Sequence, residues 1–176
     1  MRKRSHGSTN ISHRSIYLDA EWYIGGNVFL IGYVYQNGDK DQLFDKSLTK
    51  KNFLQALSSV KVIYFYGPDI GVIESHFGIN LRDKFICINL LKIFRRNIKS
   101  KSYKLSEIEK KYGIYRQEAE YKKSVFKIWN DWRNPKRKER LLRYNLEDVV
   151  NLKKLWSIIK REKNITNDYL IQNRLL

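Results

Sequence analysis

The stretch SIYLDAE, residues 15–21, decides how the rest of the chain is read. Successive residues of a strand point to opposite faces, so Ile16, Leu18 and Ala20 share one side while Tyr17, Asp19 and Glu21 share the other. Asp19 and Glu21 therefore project their carboxylates from the same face. Isolated charges in an otherwise apolar strand are costly unless something compensates them. A metal cation would do so. An edge strand whose polar face meets water is the alternative.

Working outward, Gly25-Gly26 makes a turn and Asn27–Tyr35 is a second apolar strand. Asn37-Gly38 is a hairpin signal leading to a third strand around Lys40–Phe44. These three form an antiparallel meander. The spacing then turns helical over Thr49–Ser58, with Thr49 as N-cap. Lys61–Tyr66 reads as a buried strand, Pro68–Phe77 as a helix stopped by Gly78, and Phe85–Ile88 as a fifth strand. Helices follow at about Leu90–Arg96, Lys104–Tyr112, Glu120–Trp132 and Pro135–Arg161, the last capped by Asn134. This order, βββαβαβ and then helices, predicts an α/β fold. Its mixed five-stranded sheet has three antiparallel strands, then parallel ones, with helices on its faces. Residues 1–14 read as a basic flexible arm and 15–163 as the domain. Residues 164–176 form a tail, either an extra helix or a homo-oligomerisation element.

Composition bounds the function. The chain has 176 residues, with 35 Lys+Arg against 18 Asp+Glu and a formal net charge of +17. Hydrophobic residues at 42% suffice for a sizeable core, which excludes wholesale disorder. A single Cys excludes a disulfide scaffold and a cysteine zinc cluster. The longest apolar run, Val28–Tyr35, is too short to cross a bilayer, and no secretory signal is visible. A cytoplasmic protein with no membrane partner is expected. The charge is uneven: residues 92–163 carry a net +14, residues 15–91 a net −1. That asymmetry points to a polyanionic partner lying across one side, and nucleic acid fits it best.

Two further places carry acids. Asp69 follows Gly67-Pro68 at the end of the fourth strand, where a helix begins. Alone, it is explained by the helix dipole. Tyr144 and Asp148 stand at i and i+4 on the last long helix and share one face. Alone, they are a packed Tyr and an ion-paired Asp.

Taken together, two acids on the first strand, one after the fourth and a late Tyr-xxx-Asp resemble the DEDD (DnaQ-like) exonuclease superfamily in order and context. The flanking text "IYLDAEW", "VIYFYGPD", "KLSEIEKKYGI" and "RYNLEDVVNLKKLW" is similar as well. The resemblance is to small predicted exonucleases of the ribonuclease H-like class and covers roughly residues 15–158. That superfamily divides by a His five before the last Asp or a Tyr four before it. Here those positions hold Arg143 and Tyr144, which resembles the tyrosine (DEDDy) branch. The resemblance implies that Asp19, Glu21, Asp69 and Asp148 hold two divalent cations, Mg²⁺ or Mn²⁺, and that Tyr144 orients or deprotonates the attacking water. It implies a 3′→5′ exonuclease acting on single-stranded nucleic acid, with DNA favoured over RNA. Relatives often have Asp-Leu after the fifth strand where this chain has Asn89-Leu90; altered local hydrogen bonding is the expected consequence.

Trp22 and Tyr23 follow the Asp-x-Glu directly and are candidates to stack on terminal bases, with core packing as the alternative. Arg143 is a candidate nucleic-acid contact. The runs Arg95-Arg96, Lys122-Lys123 and Lys136-Arg137-Lys138 are either phosphate tracks or solvated helix faces. Trp129 and Trp132 read as packing, and Cys87 as a core residue. A non-catalytic nucleic-acid-binding module and a structure-selective endonuclease are the competing functions.

Overall fold

The structure is a computed structural model and describes residues 15–118, 121 and 125–172. The expected arm and the Lys122-Lys123 run lie outside them. The strands are β1 (Ser15–Trp22), β2 (Val28–Tyr35), β3 (Lys40–Phe44), β4 (Val62–Phe65) and β5 (Ile86–Asn89). The helices are α1 (Lys50–Ala56), α2 (Asp69–Phe77), α3 (Leu90–Asn97), α4 (Leu105–Lys111), α5 (Val125–Trp132), α6 (Pro135–Glu162) and α7 (Asn167–Gln172). The strands form one sheet in the order β3-β2-β1-β4-β5. β1 and β2, and β2 and β3, pair antiparallel, while β1 and β4, and β4 and β5, pair parallel. This is the mixed sheet flanked by helices that the element order predicts.

Its centre is β1, which removes the edge-strand explanation of Asp19 and Glu21. Both β1 faces are covered. Ile16, Leu18 and Ala20 pack with Phe53 and Leu57 at α1 and with Ile70 and Ile73 of α2. Tyr17, on the face of Asp19 and Glu21, packs with Val149, Leu152, Leu155 and Trp156 of α6. The alternation read from the sequence thus divides β1 between two cores, and the acids belong to the α6 side. A register shift between Glu21 and Trp22 ends the regular pairing with β2 there.

Local signals set the helices. The Thr49 hydroxyl accepts from Asn52 N at 3.2 Å, and the Asn134 carboxamide accepts from Lys136 N at 3.1 Å, with Pro135 at the first position of α6. From there α6 runs for 28 residues and buries Leu141, Tyr144, Asp148, Leu152, Leu155 and Ile159 along one stripe. Beyond α6, Leu170 of α7 is buried in the same core, and Asn97 donates to the Tyr169 hydroxyl at 2.8 Å. Within the segment 164–176, Asn167–Gln172 are thus helical and packed on the domain. Among the described residues, no helix is long and apolar enough to cross a membrane.

Asn89 is a capping residue. Its Oδ1 accepts from Leu91 N at 3.1 Å and Gly67 N at 3.2 Å, while its Nδ2 donates to Gly67 O at 2.7 Å. An Asp could not make that last bond. The amide ties β5 to the turn after β4, the turn that delivers Asp69.

Candidate active site

Four elements bring the acids together. β1 supplies Asp19 and Glu21. Gly67 turns β4 into α2 with a φ of 100°, a conformation that favours glycine, and Asp69 becomes the first residue of the helix. α6 crosses the sheet over β1 and β2 and supplies Tyr144 and Asp148 one turn apart. One carboxylate oxygen from each of Asp19, Glu21 and Asp148 lies within 4.8 Å of the others. Asp69 and Tyr144 line the same cavity, which has a volume of about 540 Å³. The five residues that the resemblance implied to be catalytic therefore surround one space.

The electrostatics of this cluster are unfavourable without a cation. Burial, and then the charges of Asp148, Asp69 and Glu21, hold the Asp19 carboxyl well above its ordinary range. Burial, Asp148 and Asp69 do the same to Glu21. Asp69 is raised mainly by burial, and its Oδ2 is buried with no hydrogen-bond partner. Burial carries Asp148 up to about 7, against the pull of the neighbouring Arg116. Hard oxygen donors, mutual repulsion and an orphaned carboxylate oxygen fit a divalent cation of the Mg²⁺ or Mn²⁺ type.

A pH dependence follows. A carboxyl raised on folding favours the protonated protein, so the contribution of this cluster to metal-free stability is greatest in acid and is lost as pH rises between the ordinary Asp value of 3.8 and about 7. A cation that binds the ionised set opposes this loss. The increase in melting temperature on adding Mg²⁺ is therefore expected to grow across that window, as thermal melts with Mg²⁺ or EDTA at several pH values would show. An increase that is flat or shrinking with pH would contradict the assignment.

Tyr144 is mostly buried, and its hydroxyl is held far above the ordinary tyrosine value by burial and then by Asp148 and Glu21. The phenol stays protonated at neutral pH. Tyr144→Phe is expected to lower catalytic turnover by about 100-fold, with Mn²⁺ binding unchanged when titrated directly. Weakened Mn²⁺ binding in that variant would instead make Tyr144 part of the ligand set.

The structure adds a residue that the sequence reading lacked. Arg116, in the segment after α4, is almost wholly buried beside the acids. Its Nε and Nη2 donate to both oxygens of Glu109, the latter at 2.8 Å, and its Nη1 forms an ion pair with Asp148. Its guanidinium also lies 5.5 Å from the centre of the Tyr144 ring. Glu109 is fully buried on α4. A charged residue on the apolar side of a helix was the available sign of this pair, but Asp148 lies far along the chain from Arg116.

Trp22, Ile24, Tyr121, Ile128 and Trp129 give the cavity an apolar and aromatic side, and Lys104 and Ser106 are on its lining as well. Trp22 lines this cavity and is also partly buried against the core. Trp129, read as packing, reaches the cavity as well, and its indole N–H donates to Trp22 O at 3.0 Å. Tyr23 instead packs on Phe29 and Trp129 with Arg133 over its ring and does not line the cavity. Arg143 is also outside the lining; it pairs with Glu139 at 3.0 Å and Glu118 at 3.5 Å. In the basic run on α6, Arg137 pairs with Asp131, and Lys138 pairs with Asp45 and sits 4.0 Å from the centre of the Trp132 ring. Those two cations therefore have internal partners. Cys87 is buried in β5 as expected.

A family model of the RNase H superfamily matches residues 16–159, which includes every residue of the acidic cluster. Among solved structures, the chain is similar to the family B DNA polymerase from the hyperthermophilic archaeon Pyrobaculum calidifontis, with a TM-score of 0.62 at 14% identity. The similarity covers 92% of this chain and 27% of the polymerase, so this chain corresponds to about a quarter of that protein. No curated protein matches the chain in sequence.

Proposed function

The chain belongs to the RNase H superfamily, and from that premise we propose that it is a metal-dependent 3′→5′ exonuclease of the DEDDy type. Its substrate is single-stranded nucleic acid, with DNA favoured over RNA. The observation that carries this reading is the convergence of Asp19, Glu21 and Asp148 on one point, with Asp69 and Tyr144 on the same cavity. A superfamily built around divalent-cation nuclease chemistry makes a hydrolase the natural reading of that cluster, and the net charge of +17 suits a polyphosphate substrate.

Asp19, Glu21, Asp69 and Asp148 would hold two Mg²⁺ or Mn²⁺ ions. When bound, such ions supply Lewis-acid activation of water and neutralise charge on the leaving 3′ oxygen. The chain's own residues do the rest. Tyr144 keeps its proton and presents it as a hydrogen-bond donor beside Asp148. Arg116 keeps Asp148 in place through a guanidinium that Glu109 holds by two bonds. Trp22, Ile24 and Trp129 offer an apolar wall on which an unpaired terminal base can rest, because stacking on an aromatic face tolerates any base.

A circular single-stranded substrate tests the mode of cutting. The exonuclease reading requires that a linear strand is degraded and a covalent circle of the same sequence survives. Cleavage of the circle would make the protein an endonuclease. Salt-sensitive binding of both substrates with no cleavage of either would make it a binding module.

A further inference from the structure

Asp19, Gly32 and Gln42 stand in one row across three strands, Asp19 paired with Gly32 on β2 and Gly32 with Gln42 on β3. Directly paired residues share a face of the sheet. The middle member has no side chain, and the space above it is filled from α6. A Cβ at Gly32 would come within 2.1 Å of Asn145 Oδ1, so no residue larger than glycine fits beneath that amide.

Asn145 is fully buried and bridges the two ends of the row. Its Nδ2 donates to Asp19 Oδ2 at 2.7 Å. Its Oδ1 accepts from Gln42 Nε2 at 2.8 Å, and the same Gln42 nitrogen donates to Leu142 O on α6 at 2.9 Å. Gln42 thereby decides which way the Asn145 amide faces. With a donor at one end of the bridge, the carboxamide oxygen must turn to Gln42 and the nitrogen to Asp19.

We propose that Asn145, locked by Gln42 across the gap left by Gly32, is a positioning residue that fixes the Asp19 carboxylate for cation binding. The proposal rests on the metal-dependent reading above. Asn145 engages Asp19 Oδ2, on the carboxylate that shares the cluster with Glu21 and Asp148. Without it, Asp19 is free to rotate away from two like-charged neighbours. Partners of this kind, one bond behind the ligand, govern affinity by holding the ligand in its binding orientation.

The test is direct Mn²⁺ titration, reading free Mn²⁺ by electron paramagnetic resonance, beside thermal melts in EDTA. Asn145→Ala is expected to weaken Mn²⁺ binding by about 10–100-fold. Gln42→Met, at a half-buried position on β3 and with no change of charge, is expected to weaken it by about 10-fold and to lower the melting temperature in EDTA modestly, because it strips the donor from a buried amide oxygen. If Asn145→Ala does not fold, Gln42→Met decides alone. Variants that fold and bind Mn²⁺ as tightly as wild type overturn the proposal, as does a lowered melting temperature with unchanged affinity. Failure of the wild type to bind Mn²⁺, or undiminished binding by Asp19→Asn, would overturn the metal reading itself and this proposal with it.

Discussion

Arg116→Met is expected to cost about 3–5 kcal/mol of folding stability, the loss typical when one partner of a buried ion pair is removed. The guanidinium is the compensating charge for Glu109, which has no exposed surface, and for Asp148, which is 4% exposed. Methionine fills similar space but leaves two carboxylates in a low-dielectric interior beside Asp19, Glu21 and Asp69. Because a domain's whole stability is about 5–15 kcal/mol, the variant should unfold at much lower urea than wild type in EDTA. Mg²⁺ should restore part of the loss by neutralising Asp148, but not the part due to Glu109. Arg116→Lys keeps the charge without the planar fork and should fall between the two. An Arg116→Met protein as stable as wild type would show that the pair is not compensating these acids.

The second large effect concerns Asp148 and has opposite signs for activity and stability. Asp148→Asn is expected to reduce cleavage by about 10²–10³-fold, the worth of a single positioned group at a site of developing charge. In metal-free buffer at neutral pH the same variant should melt no lower than wild type. It removes one member of a mutually repelling set, and Arg116 remains neutralised by Glu109. The rise in melting temperature with Mg²⁺ should shrink or vanish. Loss of activity, retained metal-free stability and a lost metal response together distinguish a ligand from a structural acid. A variant that loses stability and keeps its metal response would place Asp148 outside the cation site.

The parts of this site that the sequence revealed are those governed by local periodicity. Asp19 and Glu21 share a face because strand side chains alternate, and Tyr144 and Asp148 share one because they are a helical turn apart. Gly67-Pro68 marks the turn that starts α2 at Asp69. The strand and helix boundaries follow from caps and turn residues such as Thr49, Asn134 and Gly78. What was not legible depends on contacts between distant segments. Arg116 sits in a loop with no periodic signal, and its place beside Asp148 exists only once α4 and α6 pack. Asn145 is adjacent to Tyr144 in the chain, but its role depends on Gly32 and Gln42 two strands away. Trp129 shows the same limit. Helical spacing puts it beside Trp132, whereas its hydrogen bond to Trp22 O and its contact with Tyr23 place it at the cavity wall.

The proposed function is removal of nucleotides from a 3′ end by these carboxylates with a divalent cation. The most direct measurement follows 5′-labelled single-stranded DNA and RNA on a gel with Mg²⁺, Mn²⁺ or EDTA, beside the Asp19→Ala/Asp148→Ala protein. The expected result is a ladder that shortens from the 3′ end, stronger on DNA, abolished by EDTA and absent in the double variant. Intact strands under every cation, or an equal ladder from the double variant, would contradict it.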